Sequence, residues 1–251
     1  QFMESAADGI FKIISKVIDK GGLPKNILLL CGKGNNAGDA YLTGTLLLQE
    51  NYKVIALQLA EINTASSLCQ LQHKNFLEQG GEVISVSSEK DLLFPSSHSI
   101  IDGLFGTGFH GKIEDIYASA ITMANQSSLP IFSIDIPSGI DGNTGNIGSI
   151  SIQAQHTICL ELPKTGIFLR DAWNHVGRLH YVDFGLDAQS IQNAQEDFIL
   201  LEEDKARNLF PPISTNRHKY EAGYVVGLAG SSGMAGAAIL SSLAALRSGA
   251  G

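Results

Sequence analysis

The sequence predicts an α/β protein built on a parallel sheet, and two features of its 251 residues indicate this class. Short apolar runs of strand length alternate with longer segments of helical periodicity, which is the pattern of repeated βαβ units. Polar or glycine-rich loops follow three of the apolar runs, at the ends of strands where parallel sheets bind ligands. We therefore expect one crevice, beyond the carboxyl ends of neighbouring strands, to carry the function.

Composition narrows the class of protein. The net charge of −8 and the pI near 5.3 argue against a nucleic-acid binder, and no apolar run approaches the length of a membrane span. Three widely spaced cysteines, Cys31, Cys69 and Cys159, lie mostly in apolar runs and are expected to be buried free thiols in a reducing cytosol. We expect a globular cytoplasmic protein with no nucleic-acid or membrane partner.

The first twenty residues predict a helix. Phe2, Ile10, Ile14 and Val17 fall on one helical stripe, and no capping residue precedes them. We therefore expect the chain to open inside a helix.

The stretch NILLLCGKGNNAGDAYLTGTLLL, residues 26–48, predicts a strand, a loop and a helix. Gly32, Gly34 and Gly38 let the backbone approach a ligand, and the first amides of the helix attract anions such as phosphate. The spacing matches neither the Rossmann fingerprint nor a P-loop, so an ordinary strand-to-helix turn is the alternative. The side-chain oxygens concentrated in NNAGD favour a ligand site.

Further elements alternate along the chain. The strands predicted after the first loop are Lys53–Leu57, Glu82–Val86, Ser99–Asp102 and Pro130–Ile136, and the helices are Ala65–Gln79 and Asp115–Asn125. Strands separated by helices imply a parallel sheet with right-handed crossovers.

Two acidic residues stand at strand ends. Asp102 ends an apolar run and precedes a loop with Gly103, Gly106, Gly108 and Gly111, which we expect to need a ligand to become ordered. Asp135 stands at the end of the next strand, before Pro137 and Ser138. Either acid alone could cap a helix or turn, but both together beside NNAGD indicate a shared crevice.

Three motifs carry a resemblance to a known family. GKGNNAGD, IIDGLFGTG and IDIPSGIDGNTG, in this order and spacing, resemble the YjeF-type N-terminal domain of NAD(P)H-hydrate epimerases, and HTICLELPKTGIFL and GRLHYVDFGL resemble its closing strands. The resemblance implies a Rossmann-like three-layer αβα sandwich with a mostly parallel sheet. It also implies an enzyme that interconverts the R and S epimers of hydrated NADH and NADPH.

Roles for individual residues follow from the resemblance. It implies that a potassium ion is held by Asn36, Asp102 and Ser138, whose oxygens are hard ligands suited to such an ion. It implies that the substrate is held by Asn35, Asn36, Ala37, Gly38, Asp39, Gly106, Thr107, Gly108, Phe109, His110, Gly111, Lys112 and Asp135. Asp135 is our preferred catalytic acid/base. Lys164 is either a rim cation for phosphates or a solvated turn residue.

The segment after about residue 205 changes in character. It predicts a strand at Tyr224–Leu228 and a helix at Ala237–Ser248 that stops without a following strand, and it resembles the opening of a ribokinase-like dehydratase domain that uses ADP or ATP. We expect an epimerase domain at residues 1–205, its front end truncated, and the incomplete start of a dehydratase domain at 206–251. The resemblance also implies a homo-oligomer.

Two other functions stay open at this point. A Rossmann oxidoreductase would want an acid at the end of the second strand, where Gln58 and apolar residues precede Glu61. A non-catalytic module is the other, because relatives of this domain serve as scaffolds in RNA decay; the presence of Asp102, Asp135 and NNAGD counts against it.

Overall fold

A computed structural model gives the structure of residues 2–193, 198–210, 212, 214–218, 221 and 223–250. The chain packs as two compact units, Gln1–Gln195 and Glu196–Gly251. The predicted start of the first helix at Gln1 and part of the segment RHKYEAG lie outside the described residues.

The first unit contains seven strands and five helices among the described residues. The strands are β1 Asn26–Cys31, β2 Lys53–Gln58, β3 Glu82–Ser85, β4 Ser99–Gly103, β5 Ile131–Ile134, β6 His156–Leu160 and β7 Arg178–Val182. The helices are α1 Phe2–Gly21, α2 Asn35–Gln49, α3 Ser67–Glu78, α4 Asp115–Gln126 and α5 Ala188–Asn193. Short 3₁₀ turns cover Ile62–Thr64, Glu89–Asp91, Thr165–Phe168 and Arg170–His175.

The strands form one sheet in the order β3-β2-β1-β4-β5-β6-β7, and every pairing is parallel. The predicted parallel α/β fold is confirmed. The strands β2 and β3 lie on one side of β1, and β4 to β7 lie on its other side. The point between β1 and β4 is therefore the topological switch point, where open parallel sheets form a crevice. In the register, Leu30 pairs with Asp102, and Asp102 pairs with Ser133.

The sheet is covered on both faces because alternate side chains of each strand point to opposite sides. Leu29 and Cys31 of β1 join the apolar cluster that contains Ile14 of α1 and Phe76 of α3. Leu28 and Leu30 join the other cluster, with Ile121 of α4. The predicted three-layer sandwich is therefore present, and all three cysteines are buried and free.

The strand β5 is shorter than predicted. It ends at Ile134 because Asp135 adopts a positive φ of 68°, which leaves the extended conformation, and Pro137 follows two residues later. The predicted strand thus loses its last two residues and becomes a sharply turned loop.

The second unit contains the helices α6 Glu203–Leu209 and α7 Gly236–Arg247. The predicted helix near Ala237–Ser248 is confirmed, but the predicted strand at Tyr224–Leu228 is wrong, because these residues are exposed and lie in no strand. An apolar run forms a stable strand only as part of a sheet, and the described residues show no strand at this place. Among the described helices of the chain, none has the length and hydropathy needed to cross a membrane.

Candidate active site

A cavity of about 570 Å³ opens at the carboxyl ends of β1, β4 and β5, which lie side by side in the sheet. Its walls come from the loop after β1, the first turn of α2, the loop after β4, and the residue that follows β5. The three predicted strand-end motifs therefore meet at one site. Cavities of this size bind small molecules, whose usual sites measure roughly 300–1,000 Å³.

The first motif contributes three of its five predicted substrate residues to the wall. Asn35, Asn36 and Asp39 line the cavity, whereas Ala37 and Gly38 do not. The motif begins α2, so these residues take helical rather than loop positions, and successive ones point in different directions. Ala37 is buried in the core, and a Cβ added at Gly38 would lie 3.1 Å from Cε of Met3 in α1.

The second motif contributes the residues from Gly106 to His110, namely Gly106, Thr107, Gly108, Phe109 and His110, and not the predicted Gly111 and Lys112. The chain turns away at Gly111, where φ is +95°, and the Ile113 amide then donates to Ser149 Oγ at 3.2 Å.

Protein contacts also hold this second loop. The ring of Phe105 lies 5.1 Å from that of Phe109 and 5.0 Å from that of Tyr117. His110 Nδ1 pairs with Asp141 Oδ2 at 2.7 Å, and this hydrogen bond is the main cause that lowers the pKa of Asp141. These aromatic and polar contacts hold the loop from the protein side, and its need for a ligand stays a prediction.

Asp102 lies beneath the cavity rather than in its wall, and its side chain is fully buried. Its Oδ1 accepts from Ser138 Oγ at 2.5 Å and from the Leu104 amide at 3.2 Å, while Oδ2 accepts from Ser133 Oγ at 2.8 Å and the Ser138 amide at 2.9 Å. We call Asp102, Ser133 and Ser138 the buried network. Burial raises the pKa of Asp102, and these hydrogen bonds oppose that rise.

The predicted ion ligand Asn36 meets the buried network at the backbone of Phe105. Asn36 Nδ2 donates to the Phe105 carbonyl at 2.9 Å, and the Phe105 amide donates to Ser138 Oγ at 2.9 Å. Within the described part of the chain no donor reaches Asn36 Oδ1, so this amide oxygen can accept a ligand. The structure therefore links Asn36 to Ser138 and Asp102 through the backbone of Phe105.

Asp135 faces the cavity in a strained conformation and is 8% exposed. Its amide donates to the Ile158 carbonyl at 2.8 Å, which ties the left-handed residue to β6. Its Oδ1 forms an ion pair with Lys164 Nζ, and the same ammonium donates to the Leu160 carbonyl at 3.0 Å. Lys164 is therefore the partner of Asp135 rather than a free cation or a solvated turn residue.

Asp39 is the second carboxyl group in the wall of the cavity, and it too is only 8% exposed. Burial, and secondly the negative charge of Asp135, raise its pKa from 3.8 to about 7. The cavity thus contains one carboxylate that is paired with an ammonium and one carboxyl group that holds its proton near neutral pH. We call Asp39 and Asp135 the cavity carboxyls.

The predicted site residues leave out five residues of the wall, which are Lys33, Gly34, Leu104, Phe105 and Leu160. All five lie inside motifs that were recognised, and Gly34 was expected to let the backbone approach a ligand, so the assignment of individual residues was too narrow. Leu160 ends β6, and only the strand order could place it beside β5.

A parallel sheet with a polar cavity at the switch in its strand order defines the class of Rossmann-like α/β proteins that bind ligands at strand ends. The family model described as YjeF-related protein N-terminus matches residues 1–166. The chain belongs to this family, as the resemblance predicted.

Two curated relatives agree with this assignment. The chain is 29% identical over 254 residues to the bifunctional NAD(P)H-hydrate repair enzyme Nnr of Moorella thermoacetica, covering 99% of this chain and 48% of that protein. It is 31% identical over 192 residues to the NAD(P)H-hydrate epimerase of Rhodopirellula baltica, covering 76% of this chain and 77% of that protein. The chain therefore spans about half the length of the bifunctional relative.

The structural comparison supports the fold alone. The crystal structure of yeast ynu0 aligns with a TM-score of 0.62 at 19% sequence identity, covering 82% of this chain and 88% of the yeast chain.

Proposed function

We propose that this protein interconverts the R and S epimers of hydrated NADH and NADPH. The observation that supports this best is the pair of cavity carboxyls, Asp39 and Asp135, at the strand ends of a member of this family. Both fall within the residues that the family model matches, and a relative with 31% identity carries the name NAD(P)H-hydrate epimerase.

The chemistry requires little more than proton transfer. In the hydrated coenzyme, a hydroxyl group stands on the carbon next to the ring nitrogen. When that hydroxyl receives a proton it leaves as water, and the lone pair of the ring nitrogen forms the C=N bond of an iminium ion. Water then attacks the same carbon from the other face and gives up a proton, which restores the hydrate with inverted configuration. One acid and one base therefore suffice.

The two cavity carboxyls suit these two tasks. Asp39, with its pKa raised to about 7, carries a proton that it can donate to the departing hydroxyl. Asp135, ion-paired with Lys164, is the carboxylate that takes the proton from the attacking water. After one turnover Asp39 has lost a proton and Asp135 has gained one, so exchange with solvent resets the pair, or the reverse reaction does.

The remaining wall supports substrate binding. Asn35, Thr107 and His110 present polar groups, and Phe109 presents an aromatic face. We propose that these residues, with Asn36, Gly106 and Gly108, hold the nicotinamide nucleotide, and that Ala37, Gly38, Gly111 and Lys112 support the loops without facing the substrate.

We also propose that Asn36, Asp102 and Ser138 hold a potassium ion. The donor set fits, because the free Asn36 Oδ1 and the oxygens of a fully buried carboxylate are hard ligands, and a single carboxylate matches a monovalent charge. The raised pKa of Asp102 indicates that burial disfavours its charge, which a bound cation would offset. Such an ion would fix the backbone of Phe105 in the wall of the cavity.

Other parts of the assignment are proposals of the same kind. The Moorella thermoacetica relative aligns with nearly the whole chain. We therefore propose that residues 1–205 form the epimerase domain and that 206–251 open a dehydratase domain that uses ADP or ATP. Pairing of two copies of the chain and a cytoplasmic location stay predictions.

The test is incubation of the separated R epimer of hydrated NADH with the protein, with conversion to the S epimer followed by chromatography. The proposal predicts conversion faster than in buffer, and conversion at the buffer rate would overturn it. An oxidoreductase or a non-catalytic module would leave the rate unchanged.

A further inference from the structure

A second cavity, of about 480 Å³, opens at the same edge of the sheet as the first. It lies beyond β2 and β3, whose last residues, Gln58 and Ser85, both line it. The loop that follows β1 lines the first cavity, and the strand order places β2, whose end lines the second cavity, next to β1.

The loop between the two cavities is glycine-rich backbone. A Cβ at Gly32 would lie 2.2 Å from the Leu104 carbonyl oxygen, so only glycine fits there. Gln58 Nε2 donates to the Gly32 carbonyl at 2.8 Å, which fixes the loop against the end of β2. The helix α2 begins just beyond, after Gly34, and no side chain caps its first amides. A phosphate-sized anion can lie over this loop between the cavities.

We propose that the second cavity binds the adenosine half of the dinucleotide, with the pyrophosphate over the loop 32–35 and the nicotinamide half in the first cavity. This inference rests on the proposed function, since it takes the substrate to be a dinucleotide. A ligand with two nucleoside halves joined by a pyrophosphate has the shape that two cavities on either side of such a loop require.

The lining of the second cavity suits an adenosine. Leu59, Val86 and Ile116 provide apolar surface for the faces of a purine ring, while Asn63 and Ser87 provide hydrogen-bonding groups. Gln58 does not take part directly, because its amide donates to the Gly32 and Ala60 carbonyls and its Oε1 accepts from Tyr41. It shapes the floor of the cavity.

Glu61 sets the preference between the two coenzymes. It is the one charged residue that lines this cavity in the described part of the chain, and it follows β2 by three residues. A carboxylate at this place accepts hydrogen bonds from the ribose hydroxyls of NADH and repels the 2′-phosphate of NADPH. The geometry therefore points to hydrated NADH as the preferred substrate.

The experiment is calorimetric titration of the wild-type protein, two variants of the second cavity and one control variant with NAD⁺, NADP⁺, ADP-ribose and nicotinamide mononucleotide. For Glu61→Gln we expect the Kd for NAD⁺ to rise about tenfold, and the Kd for NADP⁺ to fall or stay the same. Glu50→Gln, which removes an exposed acid at the far end of α2, should change neither value.

The second variant fills the cavity. Ser87 is exposed, so Ser87→Phe should fold, and we expect it to weaken ADP-ribose binding at least tenfold and leave nicotinamide mononucleotide unchanged. Absence of ADP-ribose binding to the wild type, or equal effects of Glu61→Gln on NAD⁺ and NADP⁺, would overturn the inference. If Ser87→Phe does not fold, the inference is still tested by Glu61→Gln, through the ratio of its Kd values for NAD⁺ and NADP⁺ compared with the wild-type ratio.

The outcomes separate this inference from the proposed function. Epimerisation together with unchanged binding in both variants would overturn the adenosine site alone. Binding of NAD⁺ that depends on Glu61, without any epimerisation, would overturn the proposed function alone.

Discussion

Two acidic regions lie at the same edge of the sheet, and the surroundings of their carboxyl groups differ. The buried network surrounds the carboxylate of Asp102 with four hydrogen-bond donors and no solvent. The cavity carboxyls, Asp39 and Asp135, face an open cavity and have few donors beyond Lys164. An aspartate side chain is thus structural in the buried network and accessible to a ligand in the cavity.

The difference shows that position at a strand end is not enough to assign a role. Hydrogen bonds from Ser138, Ser133 and Leu104 occupy Asp102, and it does not line the cavity, so its carboxylate does not reach a substrate there. Asp135 keeps its carboxylate at the cavity because its positive φ turns the chain there. Four substitutions test this division, two in the cavity carboxyls, one in the buried network, and one in Lys164.

Asp135→Asn should give the largest effect. The substitution keeps the size of the side chain but removes the base, so we expect the rate of R to S conversion to fall at least about 100-fold. Asp19→Asn, on the exposed face of α1, is the matched control and should keep the full rate. Activity of Asp135→Asn near that of the control would remove Asp135 from the chemistry.

Asp39→Asn should lower the rate by about 10- to 100-fold, because the acid is lost while the polar group stays. The wild-type rate should fall as pH rises through about 7, where Asp39 loses its proton, and the variant should lack this fall. If the rate of the variant falls with pH in the same way, the fall belongs to the titration of another group.

The raised pKa of Asp39 also predicts how stability changes with pH. The folded protein holds this proton up to about pH 7, whereas the unfolded chain releases it near the ordinary value of 3.8. The contribution of Asp39 to stability is therefore complete below pH 3.8 and is lost as pH rises through 7. Denaturation of Asp39→Asn should show it to be more stable than the wild type at pH 8, by on the order of 2–4 kcal/mol, with the gap narrowing towards pH 4.

Asp102→Asn should affect stability and potassium more than chemistry. An amide cannot accept from all the donors of the buried network, so we expect the free energy of unfolding to fall by about 1–3 kcal/mol. We also expect the potassium concentration for half-maximal activity to rise about tenfold. A potassium titration identical to that of the wild type would contradict an ion at Asn36, Asp102 and Ser138.

Lys164→Met should have the smallest effect on the rate, a fall of roughly three- to tenfold, because the carboxyl group of Asp135 remains in the cavity and loses only its partner. It should destabilise the fold, since a largely buried carboxylate is left unpaired. The double variant with Asp135→Asn should recover part of that stability in a double-mutant cycle. If the losses of stability in the two single variants simply add up in the double variant, Lys164 and Asp135 do not interact directly.

The sequence predicted the parts of the molecule that depend on local pattern. Periodicity located the helix over the first twenty residues and the strands that end near Cys31 and Asp102, with small errors at their boundaries. The three motifs predicted a shared crevice because parallel strands end at one edge of the sheet. The prediction of a strand at Tyr224–Leu228 was wrong, because an apolar run alone does not specify which strand it would pair with.

Contacts between residues that are distant in the chain could not be predicted from the sequence. Lys164 stands 29 residues from Asp135, and only the pairing of β5 with β6 brings them together. The pKa of Asp39 depends on burial and on Asp135 across the cavity, which no local pattern encodes. Ala37 and Gly38 share a motif with Asp39, yet they face the interior because the motif is the first turn of a helix.

The most direct test of the account follows the R epimer of hydrated NADH in water enriched in ¹⁸O. The account predicts that the protein accelerates formation of the S epimer, that each new S molecule carries solvent oxygen, and that Asp135→Asn removes the acceleration. Formation of the S epimer at the buffer rate, or acceleration with the original oxygen retained, would contradict a cavity that expels and re-adds water.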